Sequence, residues 1–393
     1  MITVEQAKQF VEDNTKLLSV QKVKLDQALG YVLSEDIHSP IPHPPFSQSA
    51  MDGYAIAHQE GEPKNAFKLL GEIKAGDASN YSLQTGEAVR IFTGAMVPEG
   101  TTSIIMQEVT EAIDGLVHIH QEIKTGLNIR PMGEQIQKGD LALTKGTILN
   151  PAGIGFLNGL GITEVTIYKK PTVGVIVTGN ELVQAGNELQ AGQIYESNSS
   201  TLISALQSGG VDDVERTVIE DNLEATIQSI QQLIEEKDIL ILSGGISVGD
   251  YDFVGKALKH IGVEEIFYKV KQKPGKPLFY GKNGRCNVFA LPGNPSAALT
   301  CYYQYVLLAI KRMSGNSNHP LEKRTLQLNA SYTKKGDRAQ FLKAKVQGHE
   351  VEILDGQSSA MLHSFALADA LVYIPHDINE VQKGEEVEVH MLP

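Results

Sequence analysis

A polar, glycine-rich segment at 243–252 holds the residues of this chain best suited to chemistry. It reads Ser-Gly-Gly-Ile-Ser-Val-Gly-Asp-Tyr-Asp and follows an apolar run at 239–242 that predicts a buried strand. Glycines allow tight turns, so successive backbone N–H groups can converge on an anion, and the serines add hydroxyl donors. The candidate anion-binding residues are therefore Ser243, Gly244, Gly245, Ser247 and Gly249.

Carboxylates in the same segment point to a metal ion beside that anion. Asp250 and Asp252 would repel a bare phosphate, whereas Mg²⁺ binds carboxylate and phosphate oxygens together. Either aspartate could be the inner-sphere ligand. Glu181, in the segment Thr-Gly-Asn-Glu-Leu at 178–182, is the candidate second carboxylate. The alternative for the loop alone is an ordinary strand-to-helix turn with Asp252 as the helix N-cap.

Positive charge for an oxyanion is available in the segment Lys-Gln-Lys-Pro-Gly-Lys-Pro at 271–277. Its two prolines stiffen the backbone and so restrict where Lys273 and Lys276 can point. A solvated basic turn is the alternative. The position soon after the acidic segment, in a chain of net charge −13, favours a binding role.

These segments need a scaffold that brings them together. The unbroken apolar run at 173–177 is typical of a strand buried on both faces. After it, strands are predicted at 214–219, 239–242 and 288–291, alternating with helices at 199–208, 222–236, 252–260 and 295–313. This alternation predicts a parallel α/β sheet, which binds ligands at the carboxyl ends of its strands. Asn294, in the segment Leu-Pro-Gly-Asn-Pro at 291–295, is a third candidate at such an end.

The rest of the chain has a different pattern, which predicts a multidomain α/β plus β protein. Thr3 and Gln6 have capping-box spacing, and the prolines between 40 and 45 predict an extended linker. Short β-type runs such as 89–92 and 103–106 follow, and alternating runs return after 319. We expect an N-terminal linker domain (1–45 and 137–170), an inserted β-rich domain (46–136), the α/β domain (171–318) and a C-terminal β-barrel-like domain (319–393).

Composition argues against several classes of protein. A net charge of −13 disfavours broad binding to nucleic acid or anionic membranes. Cys286 and Cys301 are too few for a disulfide framework. The N-terminus has no basic region followed by an apolar stretch, and no apolar run reaches the roughly 20 residues that span a bilayer. We therefore expect a cytoplasmic protein.

In their order, these segments resemble those of the molybdopterin molybdenumtransferases, the MoeA and gephyrin E-domain family. The likeness covers essentially the whole chain, and only the ordered set is specific. It includes three further motifs: Pro-Pro-Phe-Ser-Gln-Ser-Ala-Met-Asp-Gly-Tyr-Ala (44–55), Arg-Ile-Phe-Thr-Gly-Ala (90–95) and Ser-Ser-Ala-Met-Leu-His-Ser (358–364). The resemblance implies a homodimer of four-part subunits with a molybdopterin-binding α/β domain. Such a dimer would bind adenylylated molybdopterin and molybdate, insert the metal into the dithiolene and release AMP with the help of Mg²⁺.

The resemblance also implies roles for individual residues. Glu181 and Asp252 would hold Mg²⁺ and handle the phosphate, and Ser247, Lys273 and Lys276 would contact molybdate. Further contacts are implied for Arg338 and Ser359 from the C-terminal domain, for Arg130, and for Asp52 and Thr93 from the β-rich domain of the other subunit. Gln135 stands where the family often has an acidic residue, so no role is assigned to it.

Two alternatives compete with metal insertion. One is a molybdopterin adenylyltransferase, which would normally be a single small domain, unlike a chain with about 170 residues before its α/β domain. The other is a non-catalytic scaffold, whose expected mark would be the loss of Asp252, Glu181 or the paired lysines; all are present. An adenylyltransferase and molybdoenzymes are the candidate protein partners.

Overall fold

The structure, a computed structural model, describes residues 1–61, 65–77, 81–219, 222–245 and 253–393. These residues form two compact units. The larger unit comprises Met1–Gln21, Gly30–Ser34 and Thr166–Pro393, and the smaller comprises Lys22–Leu29 and Glu35–Val165. Within the described ranges, no helix is long and apolar enough to cross a membrane.

The first part of the chain is mostly β-structure. In chain order its elements are α1 (Val4–Asn14), β1 (Val20–Lys24), β2 (Ile37–His38), β3 (Gln48–Ser49), β4 (Gly53–Ile56), β5 (Ala66–Ile73), β6 (Glu87–Ile91), β7 (Ser103–Met106), β8 (Thr110–Ile113), β9 (Leu116–Ile119), β10 (Ile129–Arg130), β11 (Leu141–Leu143), α2 (Pro151–Gly159) and β12 (Glu164–Tyr168). In the smaller unit, six of these strands pair in the order β7-β4-β6-β5-β9-β8. The short strands predicted from the runs at 89–92 and 103–106 are confirmed as β6 and β7.

Strands and helices alternate in the middle of the chain. The elements are β13 (Val173–Thr178), β14 (Leu182–Val183), β15 (Ile194–Tyr195), α3 (Asn198–Ser208), β16 (Val214–Ile219), α4 (Leu223–Glu236), β17 (Ile239–Ser243), α5 (Phe253–Ile261), β18 (Glu264–Tyr268), β19 (Gln272–Lys273), β20 (Phe279–Asn283), β21 (Cys286–Leu291), α6 (Pro295–Cys301) and α7 (Leu307–Met313). A π-helical turn, Tyr302–Val306, joins α6 to α7.

The central sheet has the strand order β16-β13-β17-β21-β20-β18. Strands β16, β13, β17 and β21 are parallel, as predicted. Strand β20 is antiparallel to both of its neighbours, β21 and β18, at one edge of the sheet, where no strand was predicted. The reason is local: only Gly284 and Arg285 separate β20 from β21, and so short a connection can join only antiparallel strands.

Helices cover both faces of this sheet, which explains its apolar strands. All six residues of β13 are buried. One face packs against α3, the 295–313 helical segment and Val4, Ala7 and Val11 of α1. The other face packs against residues of α4 and α5, among them Leu233 and Val254. The capping box predicted for α1 is confirmed, because Thr3 and Gln6 each accept a hydrogen bond from the backbone N–H of the other.

The last part of the chain forms a small barrel. Its elements are β22 (Lys323–Leu328), β23 (Tyr332–Thr333), β24 (Ala339–Gln347), β25 (Glu350–Ile353), α8 (His363–Leu367), β26 (Ala370–Ile374), β27 (Glu380–Val381) and β28 (Glu386–Met391). The pairing order β24-β25-β22-β28-β26 closes on itself through β26 and β24. Closure leaves these five strands without a free edge, and it confirms the predicted barrel.

A partly buried polar cluster ties this barrel to α1. The His390 side chain lies between Glu388, with Nε2 2.6 Å from Oε1, and Gln304, with Nδ1 3.0 Å from Oε1. Lys8 donates to the same Gln304 oxygen at 2.8 Å. The hydrogen bond to His390, helped by the Lys323 ammonium at 2.9 Å, lowers the pKa of Glu388 from 4.5 to about 2. Glu388 therefore favours the folded state when ionised.

We predict that Glu388→Gln lowers the free energy of unfolding at pH 7 by about 1 kcal/mol, a figure that allows for solvent screening of this partly exposed carboxylate. Because the folded pKa is depressed, the wild-type advantage is present above about pH 4.5 and disappears as the pH falls towards about 2. Urea unfolding at pH 7 and pH 3 measures it. Glu386→Gln, on the exposed face of the same strand, is the control, and an equal difference at both pH values would contradict the assignment.

Candidate functional site

A cavity of about 820 Å³ lies at the carboxyl ends of β13, β17 and β21 in the larger unit. These strands are neighbours in the sheet and run in the same direction. The segments that follow them line one side of the cavity, and residues 273–277 with residues of the barrel line the rest. An open cavity of this size suits a ligand larger than a single ion.

Most of the predicted site residues meet in this cavity. Its lining includes Glu181, Ser243, Gly244, Gly245, Lys273, Lys276, Asn294, Arg338 and Ser359. Four other predicted residues lie outside the described residues: Ser247, Gly249, Asp250 and Asp252. Asp52, Thr93 and Arg130 belong to the smaller unit. The tertiary structure therefore assembles candidates that are as much as 178 positions apart, from Glu181 to Ser359.

Two glycine loops of the lining touch each other: the one that begins at Gly244 after β17, and residues 292–294 after β21. Gly244 has a φ of +96°, and a Cβ atom there would lie 2.5 Å from the carbonyl oxygen of Thr178. A Cβ on Gly293 would lie 3.6 Å from the Cα of Gly244. Only glycine at 244 permits this backbone conformation together with such close approach of the loop after β13.

Asn198 joins these loops, and no sequence motif singled it out. Its Nδ2 donates to Ser243 Oγ at 2.9 Å and to the Gly293 carbonyl at 2.8 Å. The residue is 9% exposed and begins α3 at the cavity. The signal in the sequence is the polar run Glu-Ser-Asn-Ser-Ser at 196–200, which overlaps the start of the helix predicted at 199–208.

Residues 273–277 form the turn that carries the two lysines, here called the lysine turn. The fully buried Gln272 holds this turn in place. Gln272 Nε2 donates to the Gly275 carbonyl at 3.3 Å, and its Oε1 accepts from the hydroxyl of Tyr305 in the π-helical turn. Its own carbonyl accepts from Arg338 Nη1 at 3.3 Å. These bonds fix the backbone on which Lys273 and Lys276 project into the cavity.

The cavity carries local positive charge in an acidic chain. Lys273, Lys276 and Arg338 form no ion pair with any residue in the described ranges. Of the lining carboxylates, Glu196 is buried and paired with Arg216 at 3.1 Å, whereas Glu181 is exposed. The N-terminus of α3 adds no free positive charge, because the Glu196 carboxylate already accepts its backbone N–H at 2.8 Å. The site is thus suited to a ligand with more than one negative charge.

A loop of the barrel closes the cavity against α6. Ser359 Oγ accepts from Asn294 Nδ2 at 2.8 Å, and the Ser359 carbonyl accepts from the backbone N–H of Ala297 at 3.1 Å. These two bonds bring the predicted Ser359 into the same site as the predicted Asn294. The hydroxyl proton of Ser359 stays available for an oxyanion.

The candidates in the smaller unit form a contact of their own. The Asp52 carboxylate accepts from the backbone N–H of Thr93 at 2.8 Å and from its hydroxyl at 2.7 Å. The backbone bond first, and then the hydroxyl bond, lower the pKa of Asp52. Arg130 lies exposed on β10, and Gln135 is also exposed. Asp52 is therefore an ionised, fixed acceptor at neutral pH.

A metal ion would need more carboxylates than the described part of the site supplies. Among the described residues, no three His, Cys, Asp or Glu side chains are placed to hold a metal. In the described lining, Glu181 alone offers an exposed carboxylate to the cavity. The other predicted ligands, Asp250 and Asp252, lie outside the described residues.

Family comparisons match nearly the whole chain in three consecutive parts. Residues 2–161 match the MoeA N-terminal region (domain I and II). Residues 174–312 match a probable molybdopterin binding domain, and residues 325–392 match the MoeA C-terminal region (domain IV). The cavity is lined by residues of the second and third parts.

The curated relatives and the solved structure that match this chain carry names of the same family. The molybdopterin molybdenumtransferase of Haemophilus influenzae is 34% identical over 99% of this chain and 98% of its own length. That of Staphylococcus epidermidis is 31% identical over 99% of this chain and 95% of its own length. A crystal structure of the molybdopterin biosynthesis moea protein from Pyrococcus horikoshii superposes with a TM-score of 0.82 at 32% identity, covering 100% of this chain and 99% of that one.

We predict that Asn198→Ala weakens binding of a multivalent anion to the cavity about tenfold, because Ser243 and the Gly293 loop lose the donor that joins them. Calorimetric titration with molybdate measures the affinity. Asn222→Ala is the matched control, since Asn222 caps α4 outside the cavity. Equal affinities in both variants would show that the bridge does not shape the site.

Proposed function

This chain belongs to the molybdopterin molybdenumtransferase family, and we propose that it inserts molybdenum from molybdate into adenylylated molybdopterin and releases AMP. Family membership makes it a transferase of molybdenum cofactor biosynthesis. The observation that carries the finer proposal is the convergence of Lys273, Lys276 and Arg338 with two glycine loops on one cavity. Such a site can hold two anions beside each other.

Molybdate would bind at the lysine turn. It is a tetrahedral dianion, and the ammonium groups of Lys273 and Lys276 can each donate several hydrogen bonds to its oxygens. Arg338 and the Ser359 hydroxyl lie in the same lining, from the barrel side. Because Gln272 fixes the turn, little ordering is needed when the oxyanion arrives.

The phosphates of the adenylylated pterin would bind at the other side of the cavity. Gly244 and Gly245 expose backbone there without side chains, and Ser243 lies beside them. Asn294 donates to Ser359 and thereby links this side to the molybdate side. The arrangement would place the two substrates within reach of each other.

Mg²⁺ would be held by Glu181 together with Asp252 or Asp250. The exposed Glu181 carboxylate is a hard oxygen donor of the kind that Mg²⁺ prefers. When bound, the ion would offset the charge on the phosphate as AMP leaves. This part of the proposal rests on Glu181 in the cavity and on the sequence of 243–252.

We propose that the chain itself supplies position and charge, and that neither of its cysteines forms a covalent intermediate. Cys286 and Cys301 are fully buried, and burial raises the pKa of Cys286 to about 12 and the pKa of Cys301 even further. Neither thiol is therefore a nucleophile at neutral pH. Substrate alignment and fixed donors account for catalysis of this kind.

Assembly and location complete the proposal. We propose a cytoplasmic homodimer in which Asp52, Thr93 and Arg130 of one subunit serve the cavity of the other. The fixed, ionised Asp52 suits this role because it is exposed and its acceptor geometry is set by Thr93. An adenylyltransferase would supply the substrate, and molybdoenzymes would accept the product.

We predict that Lys276→Ala raises the molybdate concentration needed for half-maximal AMP release about tenfold, the cost of one charge-assisted hydrogen bond. The affinity for the adenylylated pterin should change much less. Steady-state AMP release at varied molybdate measures the effect. Lys259→Ala, an exposed lysine at the end of α5, is the control. An effect on pterin binding alone would mean that the oxyanion site is misplaced.

We predict that Asp252→Ala reduces Mg²⁺- and molybdate-dependent AMP release by at least about 100-fold, because the phosphate loses its charge partner. The variant should remain a folded dimer in sedimentation experiments. AMP release at saturating Mg²⁺ measures the loss. Unchanged release would remove Asp252 from the metal site.

A further inference from the structure

Lys343 of β24 is a buried lysine with an unusual set of partners. It is 3% exposed and forms no ion pair with any residue in the described ranges. Its Nζ donates to three backbone carbonyls: those of Gly356 at 2.8 Å, Met361 at 3.1 Å and Ser358 at 3.2 Å. An ammonium group has three N–H donors and no acceptor, so three carbonyls satisfy it completely.

These carbonyls belong to one loop, residues 354–361, which folds around the ammonium. Gln357 reinforces the fold: its Nε2 donates to the Lys343 carbonyl at 2.8 Å and to the Leu354 carbonyl at 2.7 Å. Ser364 adds a donor to the Gly356 carbonyl at 2.7 Å. Carbonyl dipoles that converge on one point repel each other unless a donor lies between them. The ammonium therefore determines the shape of this loop.

The same loop reaches the anion cavity, whereas Lys343 itself does not line it. Gln357, Ser359 and Ala360 are part of the lining. Ser359 makes both of its contacts across to the start of α6, through Asn294 and Ala297. A change in the shape of the loop would move the Ser359 hydroxyl relative to Asn294.

We propose that Lys343 is a positioning residue for the oxyanion substrate, acting by holding loop 354–361 so that Ser359 faces the cavity. This inference rests on the proposed function and adds to it a residue outside the cavity. Burial lowers the pKa of Lys343, and the three carbonyls favour its charged form. The contribution of Lys343 is to substrate affinity, since it touches neither substrate.

The test compares Lys343→Met with Lys343→Arg and with Lys345→Met. Methionine keeps the buried chain but removes every donor, whereas a guanidinium can still donate to carbonyls. Lys345 lies two positions further along β24, partly exposed, and pairs with Asp369 at 3.2 Å, so it controls for the substitution itself. We expect Lys343→Met to raise the molybdate Kd in calorimetry about tenfold, Lys343→Arg to restore most of the affinity and Lys345→Met to bind normally.

Kinetics and hydrogen exchange separate positioning from a general loss of structure. The KM for molybdate should rise in Lys343→Met, and kcat should change less than about twofold, because a ground-state contact is lost. Amide exchange should become faster in 354–361 and stay unchanged in β22 and β28. Unaltered molybdate affinity in a folded Lys343→Met protein, or a loss that Lys343→Arg does not restore, would overturn the proposal.

A milder variant covers the case in which Lys343→Met does not fold. Ser364→Ala removes the second donor to the Gly356 carbonyl from a residue that does not line the cavity. It should raise the molybdate Kd about twofold to threefold and quicken amide exchange in the same loop, and normal affinity would count against the proposal.

If Lys276→Ala weakens molybdate binding but both loop variants bind normally, only the role of Lys343 fails. If the wild type binds molybdate but releases no AMP, the proposed reaction fails and the Kd comparison still decides the role of Lys343.

Discussion

The pairing between the lysine turn and the barrel is the constraint on which the cavity depends. Gln272 and Lys273 form the short strand β19, which runs parallel to β24 in register with Ala339 and Gln340. Arg338, immediately before β24, donates to the Gln272 carbonyl. The side of the cavity that carries the lysines and Arg338 is therefore built from two parts of the chain, the segment 271–277 and the barrel. Loss of this pairing would separate Lys273 and Lys276 from Arg338 and from the loop 354–361 that carries Ser359.

Solvation explains why so many buried amides and carbonyls surround the cavity. In a chain of net charge −13, anion affinity must come from groups aimed at one place. Gln272 and Lys343 lie beneath the lining, Asn198 is part of it, and each satisfies backbone or hydroxyl groups that water cannot reach. These residues make the backbone of the site rigid, so the backbone that carries the lysines and hydroxyls loses little entropy when a ligand binds.

Much of the architecture could be predicted because it depends on the pattern of residue types within short segments. Buried parallel strands need continuous apolar runs, and Val173–Thr178 and Ile239–Ser243 show them. Asn-Gly at 283–284 signals a hairpin, yet the antiparallel strands β18 and β20 were missed, since Glu264–Tyr268 alternates only weakly. The π-helical turn within 295–313 could not be predicted from helical periodicity either. It depends on the packing of Tyr305, whose hydroxyl donates to Gln272, and that contact exists only in the tertiary structure.

The sequence by itself determined the chemistry available: glycine loops at strand ends, paired lysines, a carboxylate at Glu181 and the order of motifs that marks the family. These are local properties of residue type and spacing. Only the tertiary structure decided which of them share a cavity, that Asn198 joins two loops, and that Lys343 serves the Ser359 loop from within the barrel. Those contacts join residues of different elements, and close packing between elements, which no short segment encodes, brings them together.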